Sequence, residues 1–92
     1  MGCTIIRNAA YDNGDATSPS FDDGIDCDSG CIVRANGVRQ NSGYGLNLGT
    51  DSAYSDNVVT TNTTGTVTGG GSANGRGGNY CAGTGGVSAF CP

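Results

Sequence analysis

Histidine, lysine, glutamate and tryptophan are all missing from this 92-residue chain. Without histidine there is no imidazole base, no Ser-His-Asp or Cys-His nucleophile pair, and no His-ligated metal. The only cations are Arg7, Arg34, Arg39 and Arg76, set against eight aspartates for a net charge of −4 and a pI near 4.1. Four scattered arginines on an acidic chain cannot build the basic face that nucleic acids require. Long apolar runs are missing as well, so neither a transmembrane helix nor a signal-peptide core is expected.

The large aliphatics are scarce. Ile, Leu, Val and Phe supply 14 residues of 92, below the roughly 20% typical of folded chains. The low net charge argues against disorder, which usually combines low hydropathy with strong self-repulsion. Helix formers are few, while 18 glycines stand among many Asn, Thr, Ser and Asp. Short strands joined by turns remain. A single small domain this lean needs covalent staples or a repetitive way of burying its apolar groups.

A repeat is present. Asn-x4-Asn occurs at Asn8 and Asn13, Asn36 and Asn41, and Asn57 and Asn62. Setting these in register aligns Ile5, Val33 and Tyr54 before the first Asn, Ala10, Val38 and Val59 after it, and Cys3, Cys31 and Ser52 further upstream. After the second Asn come Gly24-Ile-Asp-Cys27, Gly45-Leu-Asn-Leu48 and Gly65-Thr-Val67, the last one step out of phase. The spacing is 28 residues between the first two copies and 21 between the next two. The extra length falls in a loop insertion at about 14–23, marked by Pro19 and its serines. A period near 21 with alternating strands and Gly/Asn corners predicts an all-β solenoid, in which like residues stack from rung to rung. The Asn corners are expected to take the left-handed backbone conformation and to hydrogen-bond in ladders.

The passages Gly2-Cys-Thr-Ile-Ile-Arg-Asn8, Gly30-Cys-Ile-Val-Arg-Ala-Asn36 and Gly43-Tyr-Gly-Leu-Asn-Leu-Gly49 resemble the right-handed parallel β-helix repeat proteins of bacteria, the pectate-lyase-like superfamily. Tyr54–Asn62, Gly65–Gly70 and Gly77–Cys81 look like the C-terminal end of such chains, with 71–76 inserted. The resemblance implies a short right-handed parallel β-helix of about three rungs over 1–70, closed by a glycine-rich capping segment at 71–92. It says little of function, since that superfamily holds lyases, hydrolases, epimerases, tailspikes and members without known activity.

Solenoid ends expose core and strand edges. A cap is expected at the C-terminal end, while Cys3 already lies inside the repeat. The expected consequence is self-association, a homodimer joined at the exposed N-terminal rung. Five cysteines leave at least one unpaired. Cys81 and Cys91 are expected to staple the cap, and Cys27 and Cys31 are placed to bond across the turn Asp28-Ser-Gly30. The other reading makes Cys3, Cys27 and Cys31 small buried hydrophobes, with Cys3 stacked on Cys31. Disulfides would place the protein in an oxidising setting: secreted, periplasmic or at the cell surface.

Asp22, Asp23, Asp26 and Asp28 form the one cluster able to carry chemistry. Alternation puts Asp26 and Asp28 on the outer face of a strand, with Ile25 and Cys27 inward. Such carboxylates can bind calcium weakly or act as an acid/base pair on polysaccharide. Asp22-Asp-Gly-Ile25 with Gly43-Tyr-Gly-Leu46 resembles the double Asp and later Gly-His-Gly of polygalacturonases, but Tyr44 stands where those enzymes have His and no Arg-x-Lys follows. Solvated turn aspartates are the preferred reading, and no metal site is expected. Tyr11, Tyr44, Tyr54 and Tyr80 can form an aromatic surface for sugars, but Tyr54 aligns with core positions and the other three are expected to pack within the rungs or the cap; Arg34 and Arg39 are expected on outer faces beside Asp.

The function expected is therefore non-enzymatic: a structural or interaction module that self-associates and binds polysaccharide or a partner protein, without cofactor. The alternatives are a polyuronate lyase or glycoside hydrolase using the Asp cluster, and a truncated β-helix chain of no independent activity.

Overall fold

The computed structural model describes residues 2–14, 22–69 and 74–82. Among these the protein is all-β. Eleven strands lie in three sheets: β1 (Cys3–Ile6), β2 (Ala9–Tyr11), β3 (Ile25–Ser29), β4 (Cys31–Arg34), β5 (Gly37–Arg39), β6 (Tyr44–Thr50), β7 (Ala53–Ser55), β8 (Val58–Thr60), β9 (Gly65–Gly69), β10 (Asn74–Gly75) and β11 (Tyr80–Ala82). The sheet orders are β1-β4-β7-β10, β11-β8-β5-β2 and β3-β6-β9. Consecutive strands thus enter different sheets, and each pairs parallel with the strand three places on.

The register stacks like upon like. One column runs Ile5, Val33, Tyr54, a second Ala10, Val38, Val59, Cys81, and a third Ile25, Leu46, Val67. Alternation along each short strand sends these side chains to one face and leaves Ile32, Arg34 and Arg39 on the other. Val33, Leu46, Leu48 and Val59 are fully buried. Each such side chain contributes about 1.5–3 kcal/mol by leaving water. A few per repeat therefore suffice where every repeat stacks on the last.

The connections between strands follow one rule, and it differs from the expected one. The ladder asparagines do not themselves carry the left-handed backbone conformation. The residue before each one does: Arg7 (φ 59°), Asp12 (60°), Ala35 (58°), Gln40 (56°), Asp56 (55°), Thr61 (55°) and Gly78 (73°) precede Asn8, Asn13, Asn36, Asn41, Asn57, Asn62 and Asn79. The left-handed residue swings the chain through the bend, so the next side chain points inward along the stack. There a carboxamide can both donate and accept. Gly78 has a second reason to lack a side chain, because a Cβ there would overlap the Asp56 carboxylate.

Two further expectations are revised. Gly65 is not the equivalent of Gly45: it pairs with Tyr44, Val67 pairs with Leu46 and Thr68 with Asn47. The 21-residue spacing therefore runs on unbroken through β9, and buried Thr66 takes the place of Gly45. Asn74 and Gly75, expected in an insertion, pair with Ala53 and Tyr54. The longer spacing is confined to one connection, since Asn13 bonds to Asn41 across 28 residues and Asp23 to Tyr44 across 21. Residues 15–21 of that connection, and 83–92 with Cys91, lie outside the described residues, as does the expected Cys81–Cys91 pairing.

Candidate functional site

The asparagine columns are the most regular polar feature. In the first, the backbone N–H and Nδ2 of Asn8 donate to Asn36 Oδ1 (2.8 and 3.2 Å), those of Asn36 to Asn57 Oδ1 (3.0 and 3.1 Å), and those of Asn57 to Asn79 Oδ1 (both 3.0 Å). The second column repeats this from Asn13 to Asn41 and from Asn41 to Asn62. From the second repeat on, the Nδ2 groups also donate backwards, as Asn36 does to Ile5 O (3.0 Å) and Asn41 to Ala10 O (3.1 Å). Asn36, Asn41, Asn57 and Asn62 are buried and their hydrogen bonds meet the requirement that buried amides be satisfied. Asn79 is the member that sequence reading missed. It lies 22 residues from Asn57 rather than 21, and Thr84 stands where its Asn-x4-Asn partner would be.

Every asparagine-to-asparagine bond of these columns points the same way, so the two ends differ. At the β1, β2, β3 end, Asn8 and Asn13 are exposed, and among the described residues their Oδ1 atoms accept no hydrogen bond. The same three strands are the outer members of their sheets. Beside them opens a cavity of about 600 Å³ lined by Cys3, Ile5, Asp26, Cys27, Asp28 and Ser29.

The four clustered aspartates do not act as a unit. Asp23 is a cross-link between neighbouring strands: its Oδ1 accepts from the Tyr44 N–H (2.6 Å) and its Oδ2 from Asn47 Nδ2 (2.8 Å). Both carboxylate oxygens are thereby engaged in joining the segment that leads into β3 to β6. Asp22 is half-buried and its carbonyl accepts from the Gly43 N–H (2.8 Å). Asp26 and Asp28 are exposed on β3, alternating with Ile25 and Cys27. Partial burial, then the charges of Asp23 and Asp28, raise the Asp26 carboxyl above its ordinary range. Among the described residues no group of three or more Asp or Cys is arranged to hold a metal ion.

The sulfurs gather at the same open end. Cys27 and Cys31 lie at disulfide distance, with Cα atoms 6.6 Å apart. Cys31 is buried. Cys3 pairs with it in register but is exposed and free, so the reading of Cys3 as a buried hydrophobe does not hold: among the described residues no strand lies over β1.

Tyrosines are dispersed. Tyr54 is 1% exposed, in the core column, and among the described residues its hydroxyl has no hydrogen-bond partner; burial pushes its pKa up to about 12. Tyr44 is half-buried. Tyr11 and Tyr80 are exposed on outer strands of one sheet, and Arg39 lies over the Tyr11 ring at 5.3 Å, a cation–π contact in place of the expected carboxylate neighbour.

Fold and site together describe an all-β protein of stacked parallel strands with an acceptor-terminated, open edge. The chain matches no protein-family model, and comparison with curated proteins and with solved structures likewise returns no match.

Proposed function

We propose that this protein is a short right-handed parallel β-helix serving as a non-enzymatic structural and interaction module, which self-associates through its β1, β2, β3 edge. The rotation of strands through three parallel sheets supports the β-helix reading, and right-handed crossovers are the rule for parallel connections. The observation that carries the interaction reading is the composition of that edge. Three outer strands, two open Asn acceptors and an open cavity lie together, and unpaired strand edges are templates for further strands. A second copy of the chain offers strands of the same length and period.

The Asp cluster is better explained as structure than as catalysis, since Asp23 spends both oxygens on β6. The disulfide-distance pair supports a secreted, periplasmic or cell-surface setting. The outer face bearing Tyr11, Arg39 and Tyr80 is where polysaccharide or a partner protein would lie.

Light scattering on a size-exclusion column tests the reading. A dimer that dissociates when Ile5→Asp and Thr4→Pro are introduced in β1 is the expected result. A monomer at all concentrations up to about the millimolar range, where weak specific contacts become populated, overturns it.

A further inference from the structure

Cys3, Cys27 and Cys31 meet at the open edge in an arrangement that the structural role does not require. Cys3 opens β1 and Cys31 opens β4, and the two are register partners. Neighbouring strands lie about 4.8 Å apart, within the roughly 4.4–6.8 Å over which Cα atoms are bridged by a disulfide. Cys31 is at the same time at bonding distance from Cys27. Register and alternation direct Cys3 to the same side as Cys31, together with Ile5 and Val33. Cys3 is a free, exposed thiol, and it shares the wall of the open cavity with Cys27. A nucleophilic sulfur thus stands next to a disulfide, with solvent access to Cys3 and to the half-buried Cys27.

We propose that these three residues form a thiol–disulfide exchange site, in which the bond migrates between Cys27–Cys31 and Cys3–Cys31. The Cys3 thiol gives its proton to solvent and the thiolate attacks Cys31 Sγ. A Cys3–Cys31 bond forms, the Cys27–Cys31 bond breaks, and the electron pair leaves on Cys27 Sγ, which takes a proton from solvent. One thiol and one disulfide are present before and after, so no oxidant or reductant is consumed.

The two patterns differ in what they hold. Cys27–Cys31 closes a sequence separation of 4 within one turn. Cys3–Cys31 would join the outermost strand to its neighbour across the same separation as Asn8 and Asn36, which is 28. A longer closed loop removes more freedom from the unfolded chain. The exchange therefore pins β1 to β4 while presenting the Cys27 thiol to the cavity, beside Asp26 and Asp28. A low-molecular-weight or protein disulfide entering the cavity would meet Cys3 in one state and Cys27 in the other.

Disulfide mapping tests this. The intact protein is held without reductant near pH 9, where thiolate is abundant, then acid-quenched, alkylated with N-ethylmaleimide and cleaved after Arg and before Asp. Cleavage at Asp28 separates Cys27 from Cys31. Expected is a cross-link between the Cys3 and Cys31 peptides, with alkylated Cys27, in about one molecule in ten or more. The Cys27→Ser variant, mildly oxidised, is expected to carry the Cys3–Cys31 bond throughout. Alkylation confined to Cys3 in the native protein overturns the proposal, and so does a Cys3 cross-link that, in a mixture of isotopically distinct chains, forms only between chains. The native-protein map decides the matter even if Cys27→Ser fails to fold.

Discussion

Asn57 Oδ1 accepts both the backbone N–H (3.0 Å) and the Nδ2 (3.1 Å) of Asn36. One buried oxygen thus satisfies two buried donors of the neighbouring repeat, while Asn57 Nδ2 returns a bond to Val33 O. The ladder works because a carboxamide is donor and acceptor at once.

Removing that oxygen strands both donors. Asn57→Ala is expected to lower stability by about 3 kcal/mol or more, since each orphaned buried group costs about 1–3 kcal/mol. Asn57→Asp keeps the acceptor but buries a charge and loses the donor. Burial would hold its carboxyl pKa above the unfolded value, so the variant should lose stability as pH rises from about 4. Urea titrations at acid and neutral pH check both. An Asn57→Asp variant as stable as wild type at neutral pH would refute the ladder's role.

Thr61 carries φ 55° although it is β-branched, a conformation that costs an L-residue roughly 1–2 kcal/mol. It is exposed, so its side chain is dispensable to packing. Thr61→Gly is expected to stabilise by up to about 1 kcal/mol after glycine's greater unfolded-state freedom is subtracted. Thr60→Gly, one residue earlier within β8, should destabilise. Thermal melts of the pair distinguish strain at the bend from a general tolerance of glycine.

Tyr54 buries a hydroxyl that has no partner among the described residues. Tyr54→Phe is expected to raise stability by about 1 kcal/mol, because desolvation of the unpartnered group is avoided. Its pKa rises from the ordinary 10.0 to about 12 on folding. Between these values the unfolded chain gives up its proton first, so wild-type stability is full below pH 10 and falls as pH climbs toward 12. The Phe variant should show a shallower alkaline decline in denaturant midpoint. Equal slopes would contradict this.

Asp23 and Asp26 should respond in opposite directions. Asp23→Asn places an amide N–H against the donor of either Tyr44 or Asn47 and is expected to cost about 1–2 kcal/mol. Asp26 has a raised pKa from partial burial and from the charges of Asp23 and Asp28. Its ionisation therefore opposes folding, and stability is lost as pH rises from 3.8 through the higher folded value. Asp26→Asn should match wild type near pH 2 and exceed it at pH 7. A decrease at pH 7, measured by urea midpoint, would assign Asp26 a favourable partner.

How much of this was legible in the chain can be judged residue by residue. The alignment of Ile5 with Val33 and Tyr54, and of Ala10 with Val38 and Val59, could be read directly, because a stacked repeat fixes register by period alone. Gly65 misleads because a glycine looks like the anchor, whereas the spacing of Leu46 and Val67 is what pairing preserves. Asn79 was invisible because one extra residue and a missing partner broke its pattern. Asp23 was read with its neighbours as a charge cluster, and nothing local distinguishes an aspartate that spans to the next repeat.

An all-β chain, its period, the residues that face inward and the asparagines that recur at the bends are all legible in the amino-acid order. Those properties follow from composition and spacing, which act on every repeat alike. Three features emerge from the folded arrangement instead: the residue before each asparagine bears the left-handed backbone, the asparagine-to-asparagine bonds run in one direction and end, among the described residues, in open acceptors at Asn8 and Asn13, and Cys3 stands exposed over Cys31. Each of these depends on what lies in the adjacent repeat, and the distance between repeats in space, one strand spacing, is not the distance between them along the chain.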